Sequence, residues 1–230
     1  VVAGIGAWNY PIQIACWKSA SALACGNAMI FKPAELTPLT AIELEKAYRD
    51  AGLPDGLFQV VQGKAETGRM LSLHPGIAKV SLTGEVGTGK KVMVDAAGTL
   101  KYVTLELGGK SALIVFEDAD LDVAAHGVAW ARFLNAGQVC TSAKRIYVVK
   151  SVAEAFLEKF LEYTNSLVVG NGMDPRTDIG PLISQRALDK VQSQVERTIA
   201  GGAKLLADTQ AICEAEIRRA ELAQIGRAHV

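Results

Sequence analysis

Lys79-Val-Ser-Leu82 reads as a short apolar strand, Thr83-Gly-Glu-Val-Gly-Thr-Gly89 as a glycine-rich turn, Lys90 to Ala97 as a helix and Tyr102 to Glu106 as another strand. The same alternation runs upstream. Val1 to Ile5 has the apolar run of a buried strand, and Pro11 to Cys25 is a helix apolar nearly all round, which predicts burial. Ala28 to Phe31 is the next strand. Thr37-Pro38 then supplies an N-cap and a proline at the first helical position, and that helix runs to Ala51 before Gly52 and Pro54 stop it. Phe58 to Val61 is a strand and Glu66 to His74 a helix. Strands alternating with helices in this way call for an α/β fold with a doubly wound parallel sheet, Rossmann-like in organisation.

Beyond Gly108-Gly109 the pattern changes. Ala112 to Phe116 and Arg145 to Val149 read as strands, and Leu121 to Leu134, Val152 to Leu167 and Gln185 to Ala200 as helices. The expected division is a first domain over residues 1–107, part of an α/β second domain over 108–206, and an atypical tail over 207–230. The composition narrows the function. Lys+Arg and Asp+Glu are 24 each, so the chain has no electrostatic footprint for nucleic acid. Half of the residues are hydrophobic and 21% charged, which predicts a folded core rather than disorder. The longest weakly polar stretch, Tyr10 to Ile30, carries Lys18 and Asn27 and is a poor membrane span. Cys16, Cys25, Cys140 and Cys213 show no CxxC spacing, so neither a disulfide framework nor a metal site is expected, and a reducing, cytoplasmic compartment is.

Six places carry chemistry. Cys140 stands in Asn-Ala-Gly-Gln-Val-Cys-Thr-Ser among small and polar neighbours that leave room around its sulfur. A nucleophile needs such access and a low thiol pKa; the competing reading is a small core residue. Glu106 ends a strand and is followed by Leu-Gly-Gly, which suggests a carboxylate facing a crevice, although a solvated Glu reads the same way. The turn Thr83 to Gly89 opens a helix whose backbone N–H groups can hold a phosphate, but it lacks the GxGxxG spacing. Phe31-Lys-Pro-Ala-Glu35 follows a strand, where Lys32 and Glu35 could grip ribose hydroxyls or merely form a surface loop. In Gly6-Ala-Trp-Asn-Tyr-Pro11, the Asn9 amide can donate to an oxyanion. Lys18 is the lone charge on the first helix and needs a partner if buried, or else snorkels to the surface.

Taken together and in order, Asn-Tyr-Pro at 9–11, Phe-Lys-Pro-Ala-Glu at 31–35, Thr-Gly-Glu-Val-Gly-Thr-Gly at 83–89, Leu-Glu-Leu-Gly-Gly-Lys at 105–110 and Gly-Gln-Val-Cys at 137–140 resemble the aldehyde dehydrogenase superfamily. The resemblance runs from Val1 to about Leu206. It implies that Cys140 attacks the aldehyde, that Asn9 and the Cys140 backbone N–H hold the oxyanion, and that Glu106 activates water against the thioester. It implies an NAD cofactor lined by Gly6, Ala7, Trp8, Lys32, Pro33, Ala34, Glu35, Gly63, Gly84, Glu85, Val86 and Gly87. Glu35 favours NAD by repelling a 2′-phosphate, whereas Lys32 leaves NADP open. It places Glu106 and Cys140 on one crevice and implies a dimer or tetramer for the full-length protein. Ala-Trp-Asn-Tyr-Pro-Ile-Gln-Ile-Ala-Cys-Trp-Lys-Ser is most similar to the betaine aldehyde dehydrogenase branch. That similarity makes Tyr10 and Trp17 two walls of an aromatic cage for a trimethylammonium group and Lys18 a charge-relay residue. Leu134 and Ser21 depart from the branch, at a cage wall and at a position usually Pro, so another aldehyde remains an alternative substrate.

Rival readings are a CoA-acylating relative, disfavoured by Glu106, a non-catalytic structural homologue, disfavoured by retention of Cys140, Glu106 and Asn9, and a cysteine hydrolase. None of His74, His126 or His229 sits in a recognisable partner motif for a hydrolase. The chain begins without Met, and Ile225-Gly-Arg-Ala-His-Val230 reads as a translated short-read sequencing adapter. Both ends are therefore expected to be artefacts of a partial assembly.

Overall fold

A computed structural model describes residues 1–206; the tail expectation for 207–230 lies outside the described residues. The chain forms two compact units, Val1–Gly108 and a second from Gly109 onward. In the first, β1 (Val2–Ile5), α1 (Pro11–Ala24), β2 (Met29–Lys32), α2 (Leu39–Asp50), β3 (Phe58–Val60), α3 (Ala65–Leu73), β4 (Lys79–Gly84), α4 (Val86–Ala97) and β5 (Tyr102–Leu107) alternate. The strands form one parallel sheet in the order β3-β2-β1-β4-β5. Strand order thus reverses beside β1, the arrangement that opens a crevice at the carboxyl edge of a doubly wound sheet.

The two faces of the sheet differ in chemistry because side chains alternate along each strand. Ala3, Ile5, Val80 and Leu82 form one apolar layer with Ile77 and Val92, and Leu71, Val103, Leu105 and Leu107 pack against it. Fully burying side chains of the size of Val80 and Leu82 stabilises by about 1.5–3 kcal/mol each. On the opposite face, Met29, Phe31 and Phe58 pack with Ile14, Ala15 and Ala41. Phe31 is fully buried, and its ring occupies the space beside two glycines of the neighbouring chain segment. A Cβ on Gly4 would lie 2.7 Å from Phe31 Cδ2, and one on Gly6 2.8 Å from its Cζ.

Three local expectations change. The helix expected from Lys90 starts at Val86, so the second half of the glycine-rich turn is already helical. Thr37 does not cap α2; its hydroxyl donates to the Trp8 carbonyl at 3.2 Å instead. And α1 buries only the stripe Ile14, Ala15 and Ser19, leaving Ile12 and Trp17 exposed, because only the side bearing Ile14 and Ala15 packs on the Met29, Phe31 and Phe58 cluster.

The second unit pairs β6 (Ala112–Val115) with β7 (Arg145–Val148) in parallel, with α5 (Leu121–Phe133) and α6 (Ala153–Ser166) between and after them and α7 (Gln185–Ala200) beyond. Val115, Ala125, Val128 and Phe156 form its core. Asp120 caps α5 by accepting from the Asp122 and Val123 amides at 3.0 and 3.1 Å. No helix among the described residues is long and apolar enough to cross a membrane.

Phe31→Ala should empty the space over Gly4 and Gly6 and lower the unfolding free energy by about 3–5 kcal/mol in urea titrations. A loss below about 1 kcal/mol would show that the ring does not hold β1 to β2.

Candidate active site

Because the five strands run parallel, every segment that leaves a strand's carboxyl end emerges at one edge of the sheet. Gly6, Ala7, Trp8, Asn9 and Tyr10 follow β1; Lys32 ends β2 and leads to Pro33, Ala34 and Glu35; Gly63 follows β3; Gly84 ends β4 and is followed by Glu85, Val86 and Gly87; Glu106 lies at the end of β5. The residues the sequence singles out in the first unit are thereby gathered on one edge, apart from Lys18 and Trp17, which α1 carries. Hydrogen bonds tie these loops together. The Gly6 amide donates to the Lys32 carbonyl at 2.9 Å and the Val61 amide to the Phe31 carbonyl at 2.9 Å.

Lys32 is 4% exposed, and its ammonium donates to the Pro33 and Gly63 carbonyls, both at 2.7 Å. An ammonium has three donors, so one N–H remains for a ligand at the edge. Burial pulls the Lys32 pKa below the usual lysine value, and the Glu35 carboxylate opposes that. Gly63 needs its missing side chain: its φ is +145°, and a Cβ would fall 2.0 Å from Thr67 Oγ1. At the start of α4, Glu85 makes no side-chain cap, so the first-turn N–H groups stay available to an anion.

Lys18 reaches across this face of the sheet. Its stem passes over Gly4, where a Cβ would lie 3.4 Å from Lys18 Cδ, and its ammonium donates to Ser81 Oγ at 2.8 Å. Burial lowers its pKa to about 8, with Glu106 opposing and Lys79 reinforcing the shift. Glu106 is in register with Thr83, on the face that also carries Ser81. The sheet therefore sets a lysine that can exchange protons near neutral pH within Coulombic reach of the candidate base. Tyr10 immediately precedes α1, and Trp17 lies within it. Tyr10 packs against the Phe31 cluster, and Trp17 is exposed.

In the second unit Cys140 is half-buried in the loop between α5 and β7. The loop opens with three successive left-handed residues, Asn135 (φ 51°), Ala136 (φ 54°) and Gly137 (φ 73°). For the two residues with side chains this conformation costs on the order of 1 kcal/mol each, and such strain persists only where surroundings enforce it. Gln138 ties the loop down: its Nε2 donates to the Asn135 carbonyl at 3.1 Å, and its Oε1 accepts from the Ile183 amide at 3.0 Å. Lys144 donates to the Gly109 carbonyl at 2.9 Å and the Cys140 carbonyl at 3.5 Å. Its pKa is lowered by burial first, then by Lys110 and Arg132, with Cys140 acting the other way. Among the described residues no three His, Cys, Asp or Glu side chains converge as a metal site.

Sequence reasoning did not single out Ser81, although the polar–apolar alternation of Lys79-Val-Ser-Leu-Thr held the signal. It also passed over Thr37 as a tether for Trp8 and Arg132 as a neighbour of the Cys140 loop, neither of which has a local signature.

This sheet, its edge and the cysteine loop define the class. The aldehyde dehydrogenase family profile matches residues 1–219, and the chain belongs to that family. Among individual proteins, it is 56% identical over 206 residues to the betaine aldehyde dehydrogenase of Vibrio vulnificus (strain YJ016), covering 90% of this chain and 42% of that protein. The solved aldehyde dehydrogenase from Brucella melitensis biovar abortus 2308 superposes with a TM-score of 0.87 at 43% identity, over 90% of this chain and 43% of that one. An indole-3-acetaldehyde dehydrogenase solved with NAD+ gives 0.88 at 39% identity, over 90% of this chain and 42% of that one. An E. coli NADP-dependent enzyme gives 0.88 at 40%, over 90% and 43%. The chain spans about two fifths of the length of these relatives.

Lys18 also makes a pH prediction. The folded state releases its proton near pH 8, whereas the unfolded chain holds it to 10.5. Between those values the unfolded chain binds more protons, so this group makes stability rise with pH. Relative to Lys18→Met, the unmodified protein should gain up to roughly 3 kcal/mol across that window in urea titrations. A difference that stays flat with pH would contradict the buried amine.

Proposed function

We propose that the protein is an NAD(P)+-dependent aldehyde dehydrogenase that oxidises a small aldehyde to a carboxylic acid through a Cys140 thioester. The observation that carries this reading is the gathering of Asn9, Lys32, Glu35, Gly63, Gly84 and Glu106 on the carboxyl edge of a sheet ordered β3-β2-β1-β4-β5. In this reading residues 1–107 are the cofactor domain and 108–206 belong to the catalytic domain.

The edge suits a dinucleotide. The uncapped N-terminus of α4 offers N–H groups to a pyrophosphate, the remaining Lys32 donor and the Glu35 carboxylate suit ribose hydroxyls, and Gly6 and Gly84 keep the backbone approachable. Ala7, Trp8, Pro33, Ala34, Gly63, Glu85, Val86 and Gly87 complete the lining. When bound, NAD(P)+ supplies the acceptor for the hydride lost from the substrate carbon. Glu35 inclines the site to NAD+, and the Lys32 cation keeps NADP+ within range.

The chain's own residues do the rest. The Cys140 thiolate attacks the carbonyl carbon and forms the C–S bond. The Asn9 amide and the Cys140 backbone N–H hold the resulting oxyanion. Once oxidised, the carbon is a thioester. Glu106 takes a proton from the water that attacks it, releasing acid and thiolate. Lys18, with its pKa near 8, relays that proton away from Glu106. Betaine aldehyde is the substrate we favour, on the similarity to the Vibrio vulnificus protein, with Tyr10 and Trp17 as the aromatic residues that would face its trimethylammonium group. A homo-oligomer and a cytoplasmic setting complete the proposal; four cysteines without CxxC spacing suit a reducing compartment.

Glu106→Gln in the full-length protein should leave the first NADH burst intact while steady-state turnover falls roughly 10²-fold or more, with acyl-Cys140 visible by mass spectrometry. An unchanged steady-state rate would remove Glu106 from the mechanism.

A further inference from the structure

The strained turn before Cys140 has a specific support. The Arg132 guanidinium, near the end of α5, folds over the loop, and its Nη1 donates to Ser142 Oγ at 3.2 Å. The Ser142 hydroxyl lies 3.4 Å from the Arg132 carbonyl and donates back to it, and the Ala143 amide donates to the Ala131 carbonyl at 3.4 Å. Ser142 is 1% exposed, so the serine end of this clasp is shielded from water. Everything from Phe133 to Thr141 is thereby closed into a loop with Arg132 and Ser142 as its neck. Gly137 fits against the same side chain: a Cβ there would lie 2.6 Å from Arg132 Nη1 and 3.2 Å from the Arg132 carbonyl.

We propose that Arg132, clasped to Ser142 and packed under Gly137, is the positioning residue that holds the left-handed turn and so sets where the Cys140 thiolate meets its substrate. This rests on the reading of Cys140 as nucleophile. The physical argument is one of competition. Asn135 and Ala136 would relax to negative φ if the loop were free, and relaxation would swing Cys140, which lies close behind in the chain. A guanidinium fixes both the loop neck and the glycine face through one rigid fork, which a lysine can do only in part. Burial pulls the Arg132 pKa down, yet an arginine stays protonated, so the clasp persists across the working pH range.

The test is made on the full-length protein. Arg132→Met should slow the first-turnover NADH burst roughly 10²-fold, the scale expected for a reacting atom misplaced by about 1 Å. KM for NAD+ should stay within about 2-fold, and Arg132→Lys should recover part of the burst. Iodoacetamide alkylation of Cys140, followed by peptide mapping, should change rate in Arg132→Met without any need for turnover. If Arg132→Met fails to fold, Ser142→Ala tests the same clasp and should slow the burst less, since Gly137 still packs on the arginine. Burst and alkylation rates unchanged in a folded Arg132→Met or Ser142→Ala protein would overturn the proposal. Cys140→Ala separates the two levels. If it retains aldehyde-dependent NADH formation, the nucleophile reading fails; if it is inactive while Arg132→Met is normal, only the positioning role fails.

Discussion

The first unit depends on β1 having no side chain at Gly4. That absence lets the Phe31 ring lie against the β1 backbone from one side and the Lys18 stem cross it from above. A Cβ at this point would push on both. With the glycine in place, α1 sits close enough for its one cation to reach Ser81 on the next strand, 63 residues further along the chain. The polar half of the sheet face, with Ser81, Thr83, Thr104 and Glu106, is organised around that crossing, while the reverse face is filled with aliphatic side chains. Packing and chemistry are thus divided between the two faces of the same strands.

This division explains why the edge loops can be functional without costing the fold its stability. The aliphatic layer of Val80, Leu82 and Val92 is built from strand and helix residues rather than from the loops at the carboxyl edge. Those loops are held instead by main-chain bonds and by the Lys32 ammonium, which joins the segments after β2 and β3 through two carbonyls. A buried cation satisfied by backbone oxygens costs less than an unpaired one, and two acceptors use only two of its three donors. In the second unit strain plays the corresponding part: two non-glycine residues in the left-handed region precede the cysteine, where a relaxed loop would have been easier to build.

The sheet was legible in the sequence because each β-strand is a short apolar run punctuated by glycine, proline or a cap. Every strand of the first unit falls within two residues of its expected bounds. The start of α4 was misplaced because Val86-Gly-Thr-Gly89 has poor intrinsic helix propensity; its helical conformation is set by packing, with Gly89 pressed against Leu107. The burial of α1 was overestimated because apolar composition reports what a helix can bury, not what lies against it. Glu106 and Cys140 stood out through their neighbours in sequence. Ser81, Arg132 and Ser142 did not, since their importance lies in contacts between residues far apart or on opposite sides of a loop.

The central claim is that these residues serve aldehyde oxidation, and the most direct measurement is cofactor reduction by the full-length protein across a panel of aldehydes. The account predicts NADH formation matched one-for-one by carboxylic acid, fastest with betaine aldehyde or another small aldehyde, and a weaker or comparable rate with NADP+. No reduction of either cofactor with any aldehyde, from a folded protein, would contradict it.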